Sequence, residues 1–283
     1  MEKALLGKTG FMVSRVTYGG IVSMNETQKD SDKYVSMAVD AGVNYFDVAP
    51  SYGDAQERLG PSLEPYRKNV YLACKTQMRD AKGAKAELLK SLEVLRTDYF
   101  DVYQLHAMTT KEDLEQVFAP GGAMETLVWA KRQGIIRNIG ITTHSEDCVL
   151  KALDQFPFDT VLFPMNWSLG MNTGWGDRIS QRVKRDNIGL LAMKTLIHRT
   201  WRDGEEHLFP KSWCKPLWDN EDLMVAGMKY GLYKGAATLI PPGNEKHFQF
   251  MLDHIDRALE PITDEEWELL RTEAAKVKNE MIF

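Results

Sequence analysis

The runs VNYFD at residues 43–47, VYLACK at 70–75 and DVYQLH at 101–106 are short, rich in aromatic and β-branched residues, and each ends in an ionisable side chain. Such runs are typical of strands that are buried on both faces of a parallel sheet. Further runs of this kind continue along the chain: VTYG (16–19), IRNIGIT (136–142), DTVLF (159–163), IGLLAMK (188–194) and GAATLI (235–240). The sequence therefore predicts eight strands.

Helix-like stretches separate these strands. In DSDKYVSMAVDAG (30–42) apolar residues recur at helical spacing, and Gly42 provides a C-terminal cap. KAELLKSLEVLRTD (85–98) repeats leucine at the same spacing, and SEDCVLKALDQF (145–156) opens with the capping residue Ser145. Strands that alternate with helices indicate an α/β fold with a parallel sheet.

A doubly wound open sheet is the alternative architecture. Its G-x-G-x-x-G fingerprint is absent after the first strand, where only Gly19 and Gly20 stand. We therefore predict one (β/α)₈ TIM-barrel domain over residues 1–283. We also predict a hairpin within residues 2–14 that closes the bottom of the barrel. An extra C-terminal helix is expected over 263–279, where Thr263 and Glu266 form a capping-box pattern.

The composition excludes several classes of protein. With 43% hydrophobic and 27% charged residues, the 283-residue chain is ordinary for a globular protein. The net charge of −5 and the lack of a long basic stretch argue against a nucleic-acid partner. No secretory signal or membrane span is visible, and the three cysteines show no metal-ligand spacing. We expect a cytoplasmic protein with no membrane partner; the oligomeric state stays open.

Four ionisable residues are predicted to meet at one mouth of the barrel. Asp47, Lys75 and His106 end the second, third and fourth strands, and Tyr52 follows Asp47 in the next loop. Catalytic groups of barrels lie at the carboxyl ends of the strands. Each residue alone has a structural explanation, such as a helix cap, a loop aromatic or a core histidine. A buried lysine is costly unless it is paired, and the convergence of all four predicts a catalytic centre.

This set supports proton transfer to a carbonyl oxygen. An ammonium beside a phenol lowers the phenol pKa, so Lys75 is expected to move Tyr52 toward the range of a useful acid. Asp47 would neutralise and orient Lys75, and His106 would hold the substrate oxygen. Proton delivery at oxygen accompanies hydride arrival at carbon, and the hydride must come from a cofactor.

At these residues the chain resembles the aldo-keto reductases over essentially its whole length. The similar segments are LGKTGFMVSRVTYGG (6–20), GVNYFDVAPSYGDAQERLG (42–60), LACKT (72–76), DVYQLH (101–106) and IRNIGITTH (136–144). The most specific of them holds Asp47, Tyr52, Gly53, Glu57 and Gly60. The resemblance implies an NAD(P)(H)-dependent oxidoreductase that acts on a small aldehyde, ketone or sugar-like carbonyl. It also implies Tyr52 as the general acid, with Asp47, Lys75 and His106 as its supports, and no metal.

The resemblance also implies a cofactor site. The candidate contacts lie after several strands: Gly20, Ile21, Asp47, Thr142, Thr143, His144, Asn166, Met193, Lys194, Pro242, Gly243, Asn244 and Lys246. Many relatives have a ring-stacking tyrosine after the seventh strand, where this chain has Met193 or Lys194. The thioether of Met193 would cover the nicotinamide ring, or Lys194 would reach the pyrophosphate.

The segment after the eighth strand departs from the pattern of NADP-dependent relatives. IPPGNEKHFQF (240–250) has Pro242 and Phe248 near the positions of their phosphate-binding lysine and arginine. Glu245 would repel a 2′-phosphate, whereas Lys246 leaves NADP(H) possible, so the choice between NADP(H) and NAD(H) stays open. Together with AMKTL and KSWCKPLW, this segment resembles a bacterial subgroup in which some members carry a ferredoxin-like tail. No cysteine follows Cys214, so we expect no such tail.

Two insertions are expected to border the substrate. Residues 167–175 and 198–218 follow the sixth and seventh strands, and Trp167, Trp201 and Trp213 are candidate substrate contacts. The structural alternative is that these tryptophans only anchor a long loop. Two rival functions also stay open: a barrel aldolase with Lys75 as a Schiff-base nucleophile, and a non-catalytic barrel that binds a dinucleotide as a redox sensor or regulatory subunit.

Overall fold

The computed structural model describes residues 1–283 and contains twelve strands, eight of which form one parallel sheet. In chain order the strands are β1 (Lys3–Leu5), β2 (Met12–Ser14), β3 (Tyr18–Gly19), β4 (Tyr45–Asp47), β5 (Tyr71–Thr76), β6 (Phe100–Leu105), β7 (Ile136–Thr142), β8 (Thr160–Pro164), β9 (Gly189–Met193), β10 (Ile197–Arg199), β11 (Lys215–Pro216) and β12 (Thr238–Leu239).

The eight-stranded sheet curls into a barrel. Strands β3 to β9 follow one another in chain order, and β12 lies beside β9. The seam between the first and last strands closes through two backbone hydrogen bonds: Thr17 N–H donates to Leu239 O, and Leu239 N–H donates to Arg15 O, both at 2.9 Å. The predicted (β/α)₈ barrel is confirmed. Its first and last strands are shorter than the predicted runs, since each keeps only two residues in regular pairing.

Eleven α-helices surround the sheet. In chain order they are α1 (Gln28–Asp40), α2 (Ala55–Leu63), α3 (Ala81–Val94), α4 (Lys111–Phe118), α5 (Ala123–Arg132), α6 (Glu146–Gln155), α7 (Trp167–Thr173), α8 (Asp177–Arg185), α9 (Glu221–Tyr233), α10 (Glu245–Ala258) and α11 (Asp264–Lys276). None of them combines the length and apolarity that crossing a membrane requires.

Local capping determines where several helices begin. The Thr27 and Asp80 side chains accept hydrogen bonds from the first turns of α1 and α3, so both helices start before the predicted stretches. Ser145 caps α6 as predicted. At α11, Thr263 and Glu266 form the reciprocal capping box that the sequence indicates.

The bottom of the barrel is covered by the N-terminal hairpin. Strands β1 and β2 pair antiparallel, with Lys3 opposite Ser14. Leu6, in the connection between them, is fully buried in an apolar cluster with the barrel residues Tyr45 and Leu191. The Lys8 N–H donates to Asn187 O just before β9. The predicted hairpin plug is therefore present, and it leaves the opposite end of the barrel for a site.

Candidate active site

A cleft opens at the carboxyl ends of the barrel strands. It encloses about 810 Å³, counted with its open mouth, and twenty residues line it. Strands β3, β4, β7 and β9 contribute Gly19, Asp47, Thr142 and Met193, and Ile240 follows β12. Ligand sites of barrels lie at this end of the strands.

The floor of the cleft holds a buried ion pair that touches a phenol. The Lys75 side chain is fully buried, and its ammonium pairs with the Asp47 carboxylate. The same Nζ donates to Tyr52 Oη at 3.2 Å and to Val48 O at 3.3 Å. The second carboxylate oxygen of Asp47 accepts from Gln104 Nε2 at 2.8 Å. The structure thus brings Asp47, Tyr52 and Lys75 together.

Charge and burial compete at these groups. Burial by itself would lower the pKa of Lys75, but Asp47 and Tyr52 together raise it above its ordinary value. The pKa of Tyr52 is also raised, because burial disfavours the phenolate more than Lys75 favours it and Asp47 adds to the effect. The lowering effect of Lys75 is therefore smaller than the raising effect of burial. The expectation that the Tyr52 pKa is lowered overall is wrong.

His106 lies beside this centre as a neutral imidazole. Its ring meets that of Tyr52 edge to face, with centroids 5.7 Å apart, and its Nδ1 lies 3.4 Å from Ser51 Oγ. Burial, followed by the positive charge of Lys75, lowers the pKa of His106 to about 3. The four residues predicted to form a catalytic centre are adjacent, and His106 is uncharged at neutral pH.

Most of the expected cofactor residues line the cleft. These are Gly20, Ile21, Asp47, Thr142, His144, Met193, Lys194, Pro242 and Gly243. The Nε2 atom of His144 is buried without a hydrogen-bond partner. It is therefore available to a ligand in the cleft.

Four expected cofactor residues lie outside the lining: Thr143, Asn166, Asn244 and Lys246. The Thr143 hydroxyl is fully buried and bonded to the Ser145 backbone. The Asn244 Oδ1 accepts from the His247 N–H as the cap of α10, while its Nδ2 is buried without a partner. Lys246 borders a separate groove with Trp218.

Asn166 has a structural role in this conformation. Its Nδ2 donates to Lys194 O and Ile197 O, and its Oδ1 accepts from Ser168 Oγ and Leu169 N. The residue is fully buried as the cap of α7. All of its amide hydrogen-bonding groups are engaged, so a ligand would have to displace existing bonds to use it.

The three candidate substrate tryptophans have different positions. Trp213 lines the cleft, is 66% exposed, and its ring centroid lies 6.3 Å from that of Tyr52. Trp167 is fully buried, lies outside the lining, and its ring stacks on that of His198. Trp201 stacks on His207 and donates from Nε1 to Ser212 O, so it anchors the loop, as the structural alternative describes.

Several lining residues were not anticipated from the sequence. Ile197 and the segment Lys211, Ser212 and Cys214 line the cleft beside Trp213, and Leu162 lies on its floor. The Lys211 ammonium crosses to Glu26 at 2.5 Å and to Val22 O at 2.9 Å. The only sequence signal for this segment is its position within the long insertion after the seventh barrel strand.

Most of the chain matches a known protein family. Residues 16–241 match the Aldo/keto reductase family. The chain is 30% identical over 157 residues to the uncharacterized oxidoreductase YqkF of Bacillus subtilis, with 50% of this chain and 49% of that protein covered. It is 30% identical over 189 residues to the aldo-keto reductase YhdN of the same organism, with 59% and 54% covered. The matched stretches thus span about half of these two relatives.

Solved structures show the same fold. A crystal structure of a putative aldo-keto reductase from Pseudomonas aeruginosa is similar with a TM-score of 0.74 and 22% identity, covering 91% of this chain and 96% of that chain. The holo form of an aldo-keto reductase from Bacillus halodurans gives a TM-score of 0.72 at 18% identity, covering 98% and 96%. At these identities the likeness concerns the barrel alone.

Proposed function

Since the chain belongs to the aldo/keto reductase family, we propose that it transfers hydride between NAD(P)H and a small carbonyl compound, with Tyr52 as the general acid. The observation that carries this proposal is the contact of one buried ammonium, Lys75 Nζ, with both the Asp47 carboxylate and the Tyr52 hydroxyl. The same centre lies on the floor of the cleft at the carboxyl ends of the strands.

An unpartnered polar atom supports a bound nicotinamide dinucleotide in the cleft: the buried Nε2 of His144, which belongs to the lining, has no hydrogen-bond partner. Gly243 precedes the start of α10, where free backbone N–H groups favour an anion. Gly243 also lies so close to Ile21 that a Cβ there would come within 2.1 Å of Ile21 Cγ2. Glycine therefore allows these two sides of the cleft to meet.

We assign the cofactor contacts accordingly. Thr142 and His144 would face the nicotinamide amide, and Met193 would cover the ring with its thioether. Gly20, Ile21, Pro242 and Gly243 would flank the rest of the molecule. When bound, the reduced nicotinamide supplies the hydride.

The chain's own residues handle the proton. The Tyr52 hydroxyl donates its proton to the carbonyl oxygen, and the phenolate that forms is stabilised by the ammonium of Lys75 at 3.2 Å. Asp47 keeps Lys75 charged and oriented. Neutral His106, beside Tyr52, donates a hydrogen bond that holds the substrate oxygen in line. Trp213 covers the mouth next to Tyr52.

The same geometry disfavours an aldolase. A Schiff-base lysine must present a neutral amine to its substrate. The pKa of Lys75 is raised by Asp47 and Tyr52 despite burial, so the group stays an ammonium. It is also fully buried behind Tyr52 and Asp47. Trapping with borohydride in the presence of aldehydes should accordingly yield no adduct.

The decisive experiment is Tyr52→Phe, because this change removes the proton donor and little else. We expect kcat to fall by about 10²–10⁴-fold across a panel of aldehydes, ketones and sugars. Fluorescence titrations with NADH and with NADPH should give dissociation constants within about threefold of the wild type. Tyr233→Phe is the matched control, since Tyr233 is 65% exposed on α9.

Two results would contradict the proposal. Retention of most turnover by Tyr52→Phe would refute the role of Tyr52. Tight nucleotide binding by the wild type without turnover of any carbonyl would instead favour the non-catalytic dinucleotide sensor. The two titrations also decide the preference between NADH and NADPH, which Glu245 and Lys246 leave open.

A further inference from the structure

The charged groups of the cleft are balanced except at one position. Asp47, the only carboxylate in the lining, is paired with Lys75. Lys211 is paired with Glu26. The remaining lysine, Lys194, takes part in no ion pair, and the hydrogen bond from its Nζ goes to the thiol Sγ of Cys214 at 3.7 Å. The cleft thus carries one uncompensated positive charge.

The backbone at Lys194 is in a costly conformation. Its φ of +65° lies in the left-handed region, which residues other than glycine rarely adopt. Such strain persists where the surrounding structure imposes it, and it is found often at functional positions. Lys194 lines the cleft, where its ammonium also lies 5.5 Å from the ring centre of Phe283.

The ammonium belongs to the rim around the reacting hydroxyl. Its contact Cys214 follows Trp213, whose ring is next to that of Tyr52. On the other side Lys194 is close enough to His144 to affect it: burial, then the charge of Lys194, lowers the pKa of His144 to about 4. His144 is therefore neutral at pH 7, so the positive charge available to an anion on this side of the cleft is that of Lys194.

The start of α10 has different neighbours in the cleft from those of Lys194. Gly243 packs against Ile21 and lies near the Lys211 backbone, whereas Lys194 contacts Cys214 and Phe283. The proposed function already assigns the anionic part of a dinucleotide to the start of α10 beside Gly243. An anion held by Lys194 therefore has a different source, a molecule with its reactive carbonyl at Tyr52.

We infer that the substrate is an acidic carbonyl compound, whose carboxylate is bound by the Lys194 ammonium while its carbonyl oxygen meets Tyr52. This inference rests on the proposed function and specifies its substrate class. The ammonium and carboxylate form a charge-assisted hydrogen bond in a half-buried site. The binding leaves the proton and hydride steps unchanged.

The test compares matched pairs of acidic and neutral aldehydes. The probes are 4-carboxybenzaldehyde with its methyl ester, and succinic semialdehyde with butanal, assayed at pH 7 with the preferred nucleotide. In at least one pair the wild type should prefer the acid. Lys194→Met should reduce kcat/KM for that acid by about 10- to 100-fold and leave the neutral partner within about threefold. Lys194→Arg should restore most of the preference.

A control variant removes the effect of overall charge. Lys184→Met makes the same change in net charge at the opposite end of the barrel, where Lys184 lies near Leu5 and Gly7 of the hairpin. It should leave both members of each pair unaffected. Lys194→Gly relieves the left-handed conformation, so it should raise the melting temperature while it abolishes the preference for the acid.

The outcomes are distinct. If Lys194→Met weakens nucleotide binding and slows the acidic and neutral aldehydes alike, the lysine serves the cofactor pyrophosphate and the inference is overturned. If the ratio of kcat/KM for acid over neutral compound changes by less than about threefold in both pairs, it is also overturned. If the wild type turns over no carbonyl with either nucleotide, the proposed function itself fails, which is a different result.

Discussion

The buried pair of Lys75 and Asp47 gives a prediction that separates stability from catalysis. The Lys75 side chain has no exposed surface and that of Asp47 is 3% exposed. Asp47→Asn removes the negative charge with almost no change in shape. Gln104 adjusts by rotating its amide, since its Oε1 currently has no partner and its Nε2 already contacts Asp47. The ammonium of Lys75 is then left without a counter-charge.

The size of the effect follows from burial. Breaking a buried ion pair by removing one partner costs about 3–5 kcal/mol, because the other charge stays desolvated. At roughly 2.1 cal/mol/K per residue, a chain of 283 residues has an unfolding entropy of about 0.6 kcal/mol/K. The melting temperature should therefore fall by about 5–8 °C. Asp47→Asn combined with Lys75→Met removes both charges and should recover most of this loss.

The pH dependence supplies an independent check. In the wild type, Asp47 helps to raise the Lys75 pKa above its unfolded value of 10.5, so the stabilisation is present below that pH and is lost as pH rises through the folded pKa. In Asp47→Asn, burial dominates and depresses the Lys75 pKa below the unfolded value. The single variant should then become more stable between pH 7 and pH 10, whereas the wild type stays level.

Circular dichroism at several pH values measures the melting temperatures of the wild type, the single variant and the double variant. Activity plays no part in this readout, because each variant alters the proposed centre. A fall in melting temperature of less than about 2 °C for Asp47→Asn, with no gain at high pH, would refute the reasoning. The Lys75 ammonium would then have sufficient compensation from Val48 O and Tyr52 Oη alone.

Other expectations follow from the same electrostatics. Because burial lowers the pKa of His106 to about 3, NMR of its imidazole should show no titration between about pH 5 and 8. Burial raises the pKa of Cys74 to about 12 and that of Cys148 to about 11, so a thiol reagent at pH 8 should modify Cys214 first, and Cys214→Ser should remove the fast phase. The raised pKa of Tyr52 keeps its phenol protonated. The rate of carbonyl reduction should therefore stay constant across neutral pH, whereas the rate of alcohol oxidation should increase as pH rises. A rate of oxidation that falls as pH rises would contradict this.

The barrel could be predicted from the sequence because its signals are local. Each strand is a short apolar run, and most helix starts carry their own side-chain cap, as at Ser145 and Thr263. The proposed catalytic centre could also be predicted from the sequence, because Asp47 and Lys75 lie at or next to strand ends and the carboxyl ends of parallel strands meet. Strands β3, β4 and β12 are shorter than the predicted runs, and the other barrel strands differ from them by at most one residue at either end.

Side-chain direction was harder to predict than position. Thr142 lines the cleft and Thr143 does not, although they are adjacent, because the chain leaves β7 at this point and Thr143 turns to the backbone of Ser145. Asn166 has the residue type expected of an amide-binding group, but its position at the start of α7 makes it a cap. A difference of one residue along the chain decides whether a polar side chain faces the cleft or bonds to the backbone.

Contacts between residues that are far apart in the sequence could not be predicted. No local pattern indicates that Lys211 reaches Glu26, or that Cys214 lies against Lys194. The net sign of the Tyr52 pKa shift has a similar origin. The contact with Lys75 was expected, but the depth of burial around Tyr52 depends on packing by residues from several elements, and burial outweighs the contact.

Lys75 lies beside Tyr52 and Lys194 lies at the rim of the cleft, and the two lysines have opposite electrostatic surroundings. Lys75 is neutralised by Asp47, so the proton donor experiences a charge whose field is largely balanced. Lys194 has no carboxylate beside it, so its field extends into the cleft. An unbalanced positive charge at the floor would lower the Tyr52 pKa and favour loss of its proton before the reaction. The same charge at the rim would attract an anionic substrate and leave Tyr52 protonated. Separating the two charges would therefore let the cleft bind an acid without losing its proton donor.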